Sequence, residues 1–111
     1  QPFLVALQTT SIMARVVYPM SEYIEIEIEP SDDGKQIFFY TNLRLSEGDV
    51  EEYDSRTSLE RGSPVAQALA MIDGIDLLRI EGSDMVISIE PDVEWYFVVE
   101  EVSAALKDFF L

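Results

Sequence analysis

Polar and apolar residues alternate most regularly in EYIEIEIEP, residues 22–30. Three isoleucines fall on one side of the extended chain and three glutamates fall on the other, which predicts a strand with one buried face and one solvated face. These residues are Ile24, Ile26 and Ile28, and Glu25, Glu27 and Glu29. Pro30 ends the strand, SDDG supplies turn residues, and KQIFFYT returns as a second strand, so the two form a hairpin.

The stretch that follows, residues 42–62, shows no clear period. A structureless loop of about twenty residues is uncommon inside a compact domain. Either this segment is mobile or it contains a short strand, and Val50–Tyr53 is the candidate for that strand.

Two helices and a second hairpin are predicted after residue 62. Ser63 and Pro64 form a helix start, because serine accepts a hydrogen bond from a free amide and proline needs none at the first helical position. Apolar residues then recur at helical spacing, and Gly74 is expected to end the helix. IDLLRI and MVISIE are strands joined by EGSD, and a last helix is expected from Pro91 and Asp92 onward. The apolar stripes of the two helices are Val65, Ala68, Leu69 and Ile72, and Trp95, Val98, Val99, Val102, Leu106 and Phe109.

The element order is therefore ββ(β)αββα. It predicts an α+β fold, with a mainly antiparallel sheet of four or five strands and two helices on one face. Residues 20–111 are assigned to this domain. Residues 1–19 are assigned to an N-terminal extension, which is an extra edge strand, a ragged extension or part of something upstream. Since the sequence begins at Gln1, we expect a processed chain or a fragment.

The charge of the chain narrows the choice of partner. Among 111 residues, 22 are acidic and 7 are basic, for a formal net charge of −15. A negative field repels phosphate, so nucleic acid is not expected as a partner, whereas a basic protein surface or a cation fits. The alternative is that the acidity only keeps a small domain soluble. PFLVAL near the start is too short to span a bilayer, so no membrane partner is expected.

Reactive side chains are scarce. The chain has no Cys and no His, which removes disulfides, thiolate and imidazole chemistry and the usual zinc and iron–sulfur ligands. No nucleophile elbow, phosphate-binding loop or dinucleotide fingerprint is present. EPSDDGKQIFFY places Tyr40 where a calcium loop needs a bidentate glutamate, so the comparison with such a loop fails. We expect no enzyme, no cofactor and no metal, and binding remains as the function.

The segments from Gly48 onward resemble the N-terminal domain of the Nfu/NifU-like iron–sulfur scaffold proteins. SPVAQAL, residues 63–69, is close to the SPLAQ-type helix start of that family. The family's helix exit is matched by Ile72–Ile75, and its hairpin is matched by Gly82, Asp84, Met85 and Val86. The tryptophan that opens its last helix is matched by Trp95, and the aromatic residue of its short strand is matched by Tyr53. The resemblance covers roughly residues 23–110.

Two departures limit what the resemblance implies. The family's TPNPNTLKF-like opening is replaced by EPSDDGKQIFF, and the second domain with its C-x-x-C cluster ligands is missing. The resemblance therefore implies a cytoplasmic accessory domain of iron–sulfur cluster assembly or delivery that holds no cluster itself. Its expected partner is an iron–sulfur scaffold or client protein with a basic surface. The alternative is an acidic cation-binding or regulatory domain unrelated to iron–sulfur assembly.

Acidic side chains are the candidates for contacting such a partner. They form one group on the first strand and another in the loop before the first helix. The candidate residues are Glu25, Glu27, Glu29, Glu47, Asp49, Glu51, Glu52 and Asp54. The simpler interpretation of the strand group is a solvated face whose repeated charge discourages edge-to-edge association.

Overall fold

Six strands and three helices make up the computed structural model, which describes residues 16–19 and 24–111. The strands are β1 (Val16–Pro19), β2 (Glu25–Pro30), β3 (Gln36–Thr41), β4 (Glu51–Tyr53), β5 (Ile75–Glu81) and β6 (Asp84–Ile89). The helices are α1 (Arg56–Glu60), α2 (Pro64–Leu69) and α3 (Trp95–Phe110). All six strands belong to one antiparallel sheet with the order β1-β2-β3-β6-β5-β4. The remainder of the predicted extension, residues 1–15, lies outside the described residues.

The predicted α+β class is confirmed, and the structure adds a strand and a helix to the predicted elements. Val16–Pro19 pairs with β2 as a sixth strand, and the short strand expected in the middle of the chain is present as β4. The additional helix is α1, which begins after Ser55. Ser55 Oγ accepts a hydrogen bond from Ser58 N at 3.1 Å, and Ser58 Oγ accepts one from Ser55 N at 3.1 Å. This reciprocal cap uses serine where the usual signature has Glu or Gln, so the sequence signal is weak.

The hydrophobic core lies between the sheet and the three helices. The inward isoleucines of β2 are wholly buried, as are Phe39 of β3 and Ile87 of β6. Helices α2 and α3 close this layer with most of the apolar positions that their spacing predicts, for example Leu69 and Val99. Phe109 was wrongly assigned to the stripe of α3, since it is exposed in the last turn of the helix. Burial of the core side chains removes apolar surface from water. Because residues of all three helices belong to this one core, the three helices lie on the same side of the sheet.

One end of each predicted helix differs from the prediction: α2 stops before Ile72, the last residue of its apolar stripe, and α3 starts later than predicted. Helix α2 ends at Leu69, because the next amides turn back to carbonyls three residues earlier: Ala70 N donates to Gln67 O and Ile72 N donates to Leu69 O. Gly74 lies in the turn after this helix, with φ of +97°. Helix α3 begins at Trp95 with Glu94 as its N-cap rather than at Pro91.

The turn at Gly74 gives a direct test of this packing. A Cβ added at Gly74 would lie 2.9 Å from Val93 Cγ1, whereas one added at Gly82, in the β5–β6 hairpin, would meet no atom within 4 Å. Both glycines have positive φ. We expect Gly82→Ala to lower the free energy of unfolding by about 1 kcal/mol, from backbone strain alone. Gly74→Ala should lower the free energy of unfolding by at least about 1 kcal/mol more than Gly82→Ala does, because the side chain of Val93 must also move. Urea unfolding measures both, and equal costs would contradict the packing of Val93 on this turn.

Candidate functional site

The face of the sheet opposite the helices carries a continuous row of side chains across five strands. Glu29 is paired with Phe38, and Phe38 with Val86. Val86 is in turn paired with Arg79, and Arg79 with Glu52. Directly opposed residues of antiparallel strands project to the same side, so these five side chains share one surface.

A second row runs beside the first. Glu27 is paired with Tyr40, Tyr40 with Asp84 and Asp84 with Glu81. Leu77 lies beyond the first row on β5, opposite Ser88, and is 47% exposed. We call this surface the open face and define it by the two rows and Leu77. Its residues are Glu27, Glu29, Phe38, Tyr40, Glu52, Leu77, Arg79, Glu81, Asp84 and Val86.

The open face has an apolar cluster on its central strands, one carboxylate beside it at Asp84 of β6, and a charged border on each side. Phe38, Tyr40 and Val86 of the central strands β3 and β6 are half-buried. On the β2 side, Tyr40 OH donates a hydrogen bond to Glu29 Oε1 at 3.4 Å. At a strand spacing of about 4.8 Å, the carboxylates of β2 and those of β5 and β4 are about 14–19 Å apart.

Arg79 is the single cation of the open face. Its Nε lies 3.6 Å from Glu52 Oε2, and its Nη2 lies 3.4 Å from Glu81 Oε1. These ion pairs are solvent-exposed, and such pairs contribute little to stability. The ten residues that define the open face thus include five carboxylates and one guanidinium.

The structure brings three of the eight predicted site residues together. Glu27, Glu29 and Glu52 belong to the open face, although β2 and β4 lie on opposite sides of the central strands. Glu25 is exposed at the start of β2, on the same side of the strand as Glu27 and Glu29 but outside the two rows. Glu47, Asp49 and Asp54 are exposed in the segments around β4.

Sequence reasoning missed seven residues of the open face. They are Phe38, Tyr40, Leu77, Arg79, Glu81, Asp84 and Val86. The alternation within the second and later strands contained a signal for Phe38, Arg79 and Val86, since each lies between two buried neighbours. That alternation does not show which strands are neighbours in the sheet.

Glu51 is placed differently from its neighbour Glu52 and has a structural role. Its Oε1 accepts hydrogen bonds from Tyr53 OH at 2.6 Å and from Ser63 Oγ at 2.6 Å. Ser63 Oγ also accepts from Ala66 N at 3.3 Å, as the predicted N-cap of α2. Glu51 therefore ties the edge strand to the start of a helix.

A cleft of about 600 Å³ opens beside the β2–β3 turn and is bordered by Asp32, Asp33 and Lys35 of the turn and by Leu77 of β5. Asp33 Oδ1 accepts hydrogen bonds from Lys35 N at 2.9 Å and from Ser31 Oγ at 2.7 Å. The backbone amide of Lys35 and then the hydroxyl of Ser31 hold the pKa of Asp33 below its ordinary value of 3.8. These hydrogen bonds within the β2–β3 turn give Asp33 a structural role as a turn residue.

The hydrogen bonds of Glu51 lead to a matched pair of variants. Glu51→Ala should lower the free energy of unfolding by about 1–2 kcal/mol, because two half-buried hydroxyl groups lose a charged acceptor. Glu52→Ala should cost under about 1 kcal/mol, since its ion pair is exposed. Urea unfolding of both variants tests whether Glu51 has this structural role. A larger loss of unfolding free energy in Glu52→Ala than in Glu51→Ala would contradict it.

The lowered pKa of Asp33 leads to a pH-dependent prediction. A carboxyl whose pKa is depressed by folding stabilises the folded state above its unfolded pKa, and this stabilisation is lost as pH falls through the folded value. Asp33→Asn should therefore melt at a lower temperature than the unsubstituted chain at pH 7, and the gap should close below pH 3.8. Asp32→Asn is the control, since Asp32 accepts neither of these hydrogen bonds. A gap that stays constant down to pH 2 would contradict this role for Asp33.

No protein-family model matches this chain, and no curated protein matches it. The residues that the structure describes include no group of three or more His, Cys, Asp or Glu side chains placed to hold a metal ion. Within residues 16–19 and 24–111, no helix is both long enough and apolar enough to cross a membrane. The likeness to the Nfu/NifU-like family therefore rests on the order and spacing of the sequence motifs.

Proposed function

We propose that this chain is a non-enzymatic interaction domain that assists iron–sulfur cluster assembly or delivery in the cytoplasm by binding another protein. The motif order from Gly48 onward supports the iron–sulfur assignment. The absence of Cys and His from the sequence supports an accessory role rather than a cluster carrier. The partner is an iron–sulfur scaffold or client protein with a basic surface.

The observation that carries the proposal is the composition of the open face. Protein interfaces commonly combine an apolar, aromatic-containing centre with a polar rim. The open face has this arrangement, with Phe38, Tyr40 and Val86 at the centre and carboxylates on both borders. All three helices in residues 16–19 and 24–111 pack on the other face, so none of them covers this surface.

The charge of the open face predicts a positively charged surface on the partner. Carboxylates at an interface rim attract a basic surface over distance and raise the association rate more than they raise the final affinity. Salt screens this attraction, with a Debye length of about 8 Å at physiological ionic strength. A domain with net charge −15 should therefore capture its partner faster at low salt than at high salt.

Reversing charges on the two sides of the molecule tests the proposal. The bait is the tagged full chain in lysate of the source organism, and the readout is the amount of iron–sulfur scaffold and client proteins in the recovered fraction. We expect the double variant Glu27→Lys, Glu29→Lys to recover about tenfold less of these proteins, because two attractive rim charges become repulsive. The control Glu100→Lys, Glu101→Lys places the same change on exposed positions of α3 and should recover as much as the unsubstituted chain.

Melting temperatures of both double variants establish that each is folded before recovery is compared. Recovery of no iron–sulfur protein by the unsubstituted chain would overturn the proposed function. Equal losses from the two double variants would remove the open face as the contact surface.

A further inference from the structure

We propose that the cleft beside the β2–β3 turn binds an α-amino acid with an apolar side chain. Asp76 receives the ammonium group of this ligand, Lys35 receives its carboxylate, and its side chain packs on Leu77. The binding needs no iron–sulfur protein, so it goes beyond the proposed function.

A β-bulge in β5 builds one wall of the cleft. The pairs on either side of the bulge are Ile75 with Ile89 and Leu77 with Ser88. Asp76 is therefore an extra residue that lies opposite no residue of β6. A bulge interrupts the alternation of side chains between the two faces of a sheet. Asp76 and Leu77 are both exposed, whereas the residues after them alternate between buried and exposed. The bulge thus places a carboxylate and an apolar side chain next to each other at the cleft.

The fold leaves both of these side chains without a use. Within residues 16–19 and 24–111, the Asp76 carboxylate forms no ion pair and no hydrogen bond. Leu77 is 47% exposed, and covering its exposed part with an apolar group is favourable. A ligand that carries an ammonium group close to an apolar side chain complements both residues.

Lys35 supplies the opposite charge on the far wall of the cleft. Its carbonyl oxygen accepts a hydrogen bond from Ile89 N at 3.0 Å, and Ile89 is paired with Ile75. Only β6 therefore lies between Lys35 and the bulge, a separation of two strand spacings or about 10 Å. The Lys35 ammonium group is carried on a flexible four-carbon stem, so it can reach a ligand that lies over β6. In the part of the chain that the structure describes, Lys35 forms no ion pair.

The floor of the cleft lies between these two walls. Gln36 of β3 and Ser88 of β6 are directly paired, and Gln36 Nε2 donates a hydrogen bond to Ser88 Oγ at 3.4 Å. The cleft has a volume of about 600 Å³. Sites for small ligands have volumes of about 300–1,000 Å³ and combine apolar walls with a few polar groups. The size and lining of the cleft therefore fit a small ligand.

The charges of the cleft favour a zwitterion over a simple ion. Asp33 Oδ1 accepts hydrogen bonds from Lys35 N and Ser31 Oγ within the turn, whereas Asp32 accepts neither of them. A ligand with only a positive charge is repelled by Lys35, and one with only a negative charge is repelled by the carboxylates. A ligand with both charges is attracted by both walls, because its potential complements theirs.

Four probes that differ by one group test the proposal on the full chain at constant ionic strength. The reference probe is L-leucine. L-leucinamide lacks the carboxylate, N-acetyl-L-leucine lacks the ammonium group, and glycine lacks the apolar side chain. Titrations followed by the backbone amide resonances of Lys35, Asp76 and Leu77 measure each affinity. We expect saturable one-to-one binding of L-leucine, at least about tenfold tighter than binding of any other probe, because each of those loses one contact.

Two results of these titrations would overturn the proposal. The first is equal affinity for L-leucine and L-leucinamide, because the negative charge of the cleft alone would then explain the binding. The second is the absence of saturable shifts at Asp76 and Leu77 with L-leucine and also with L-valine and L-phenylalanine, titrated in parallel.

Substitutions on the two walls should exchange the preferences among the probes. Lys35→Met should remove the preference for L-leucine over L-leucinamide, because the ligand carboxylate loses its partner. Asp76→Asn should remove the preference for L-leucine over N-acetyl-L-leucine in the same way. The matched controls are Lys107→Met and Asp108→Asn, which remove the same charges from exposed positions of α3. Both controls should keep every preference.

Melting temperatures establish that all four variants are folded before their affinities are compared. A Lys35→Met variant that still prefers L-leucine to L-leucinamide would overturn the proposal. Equal changes in the wall variants and in the α3 controls would overturn it as well, because net charge would then account for the effect.

Nuclear Overhauser contacts locate the bound probe directly. We expect contacts between the methyl groups of L-leucine and those of Leu77. Contacts of the probe only with residues outside the cleft would overturn the proposal.

Discussion

The register of the β2–β3–β6–β5 sheet is the constraint on which the rest of this molecule depends. Side chains of a strand alternate between faces with a period of two, so a shift of one residue exchanges the two faces completely. In β2 that shift would put three glutamates into the layer now filled by wholly buried isoleucines. Burying unpaired carboxylates is far more costly than burying isoleucine, and the register is therefore strongly specified.

The same register creates the open face. Because Ile26 and Ile28 face the helices, Glu27 and Glu29 must face away from them. Phe39 and Ile87 are fixed inward in the same way, which directs Phe38 and Val86 outward on the neighbouring strands. The apolar centre and the charged borders of the open face are thus consequences of how the core is packed. The surface available for binding is as rigid as the sheet that displays it.

Much of the fold was predictable from local patterns. The alternation in residues 22–30 defines β2 and its buried side, and Ser63 with Pro64 marks the start of α2 through capping chemistry that acts within one turn. Helix α1 was missed because its cap pairs Ser55 with another serine. The end of α2 was misplaced because Ile72 remains buried beyond the last helical hydrogen bond. The start of α3 was misplaced because Pro91 and Asp92 form a turn before the helix rather than its first turn.

The candidate site was predictable only in part, since it depends on contacts between distant segments. Glu29 and Glu52 share a row because β3, β6 and β5 lie between them, and a single sequence contains no signal for that strand order. Glu51 and Glu52 were indistinguishable in a three-residue strand, which is too short to show alternation. Their different roles follow from Tyr53 and Ser63, whose hydroxyls both reach Glu51.

The central claim is that a basic iron–sulfur protein docks on the open face, and side-chain nuclear magnetic resonance tests it most directly. The measurement follows the methyl groups of Val86 and the rings of Phe38 and Phe97 while an iron–sulfur scaffold protein is added to the full chain. We expect the Val86 and Phe38 resonances to shift or broaden on binding and the Phe97 ring to stay unchanged. Shifts at Phe97 with none at Val86 and Phe38 would contradict the claim and place the contact on the helical side of the molecule.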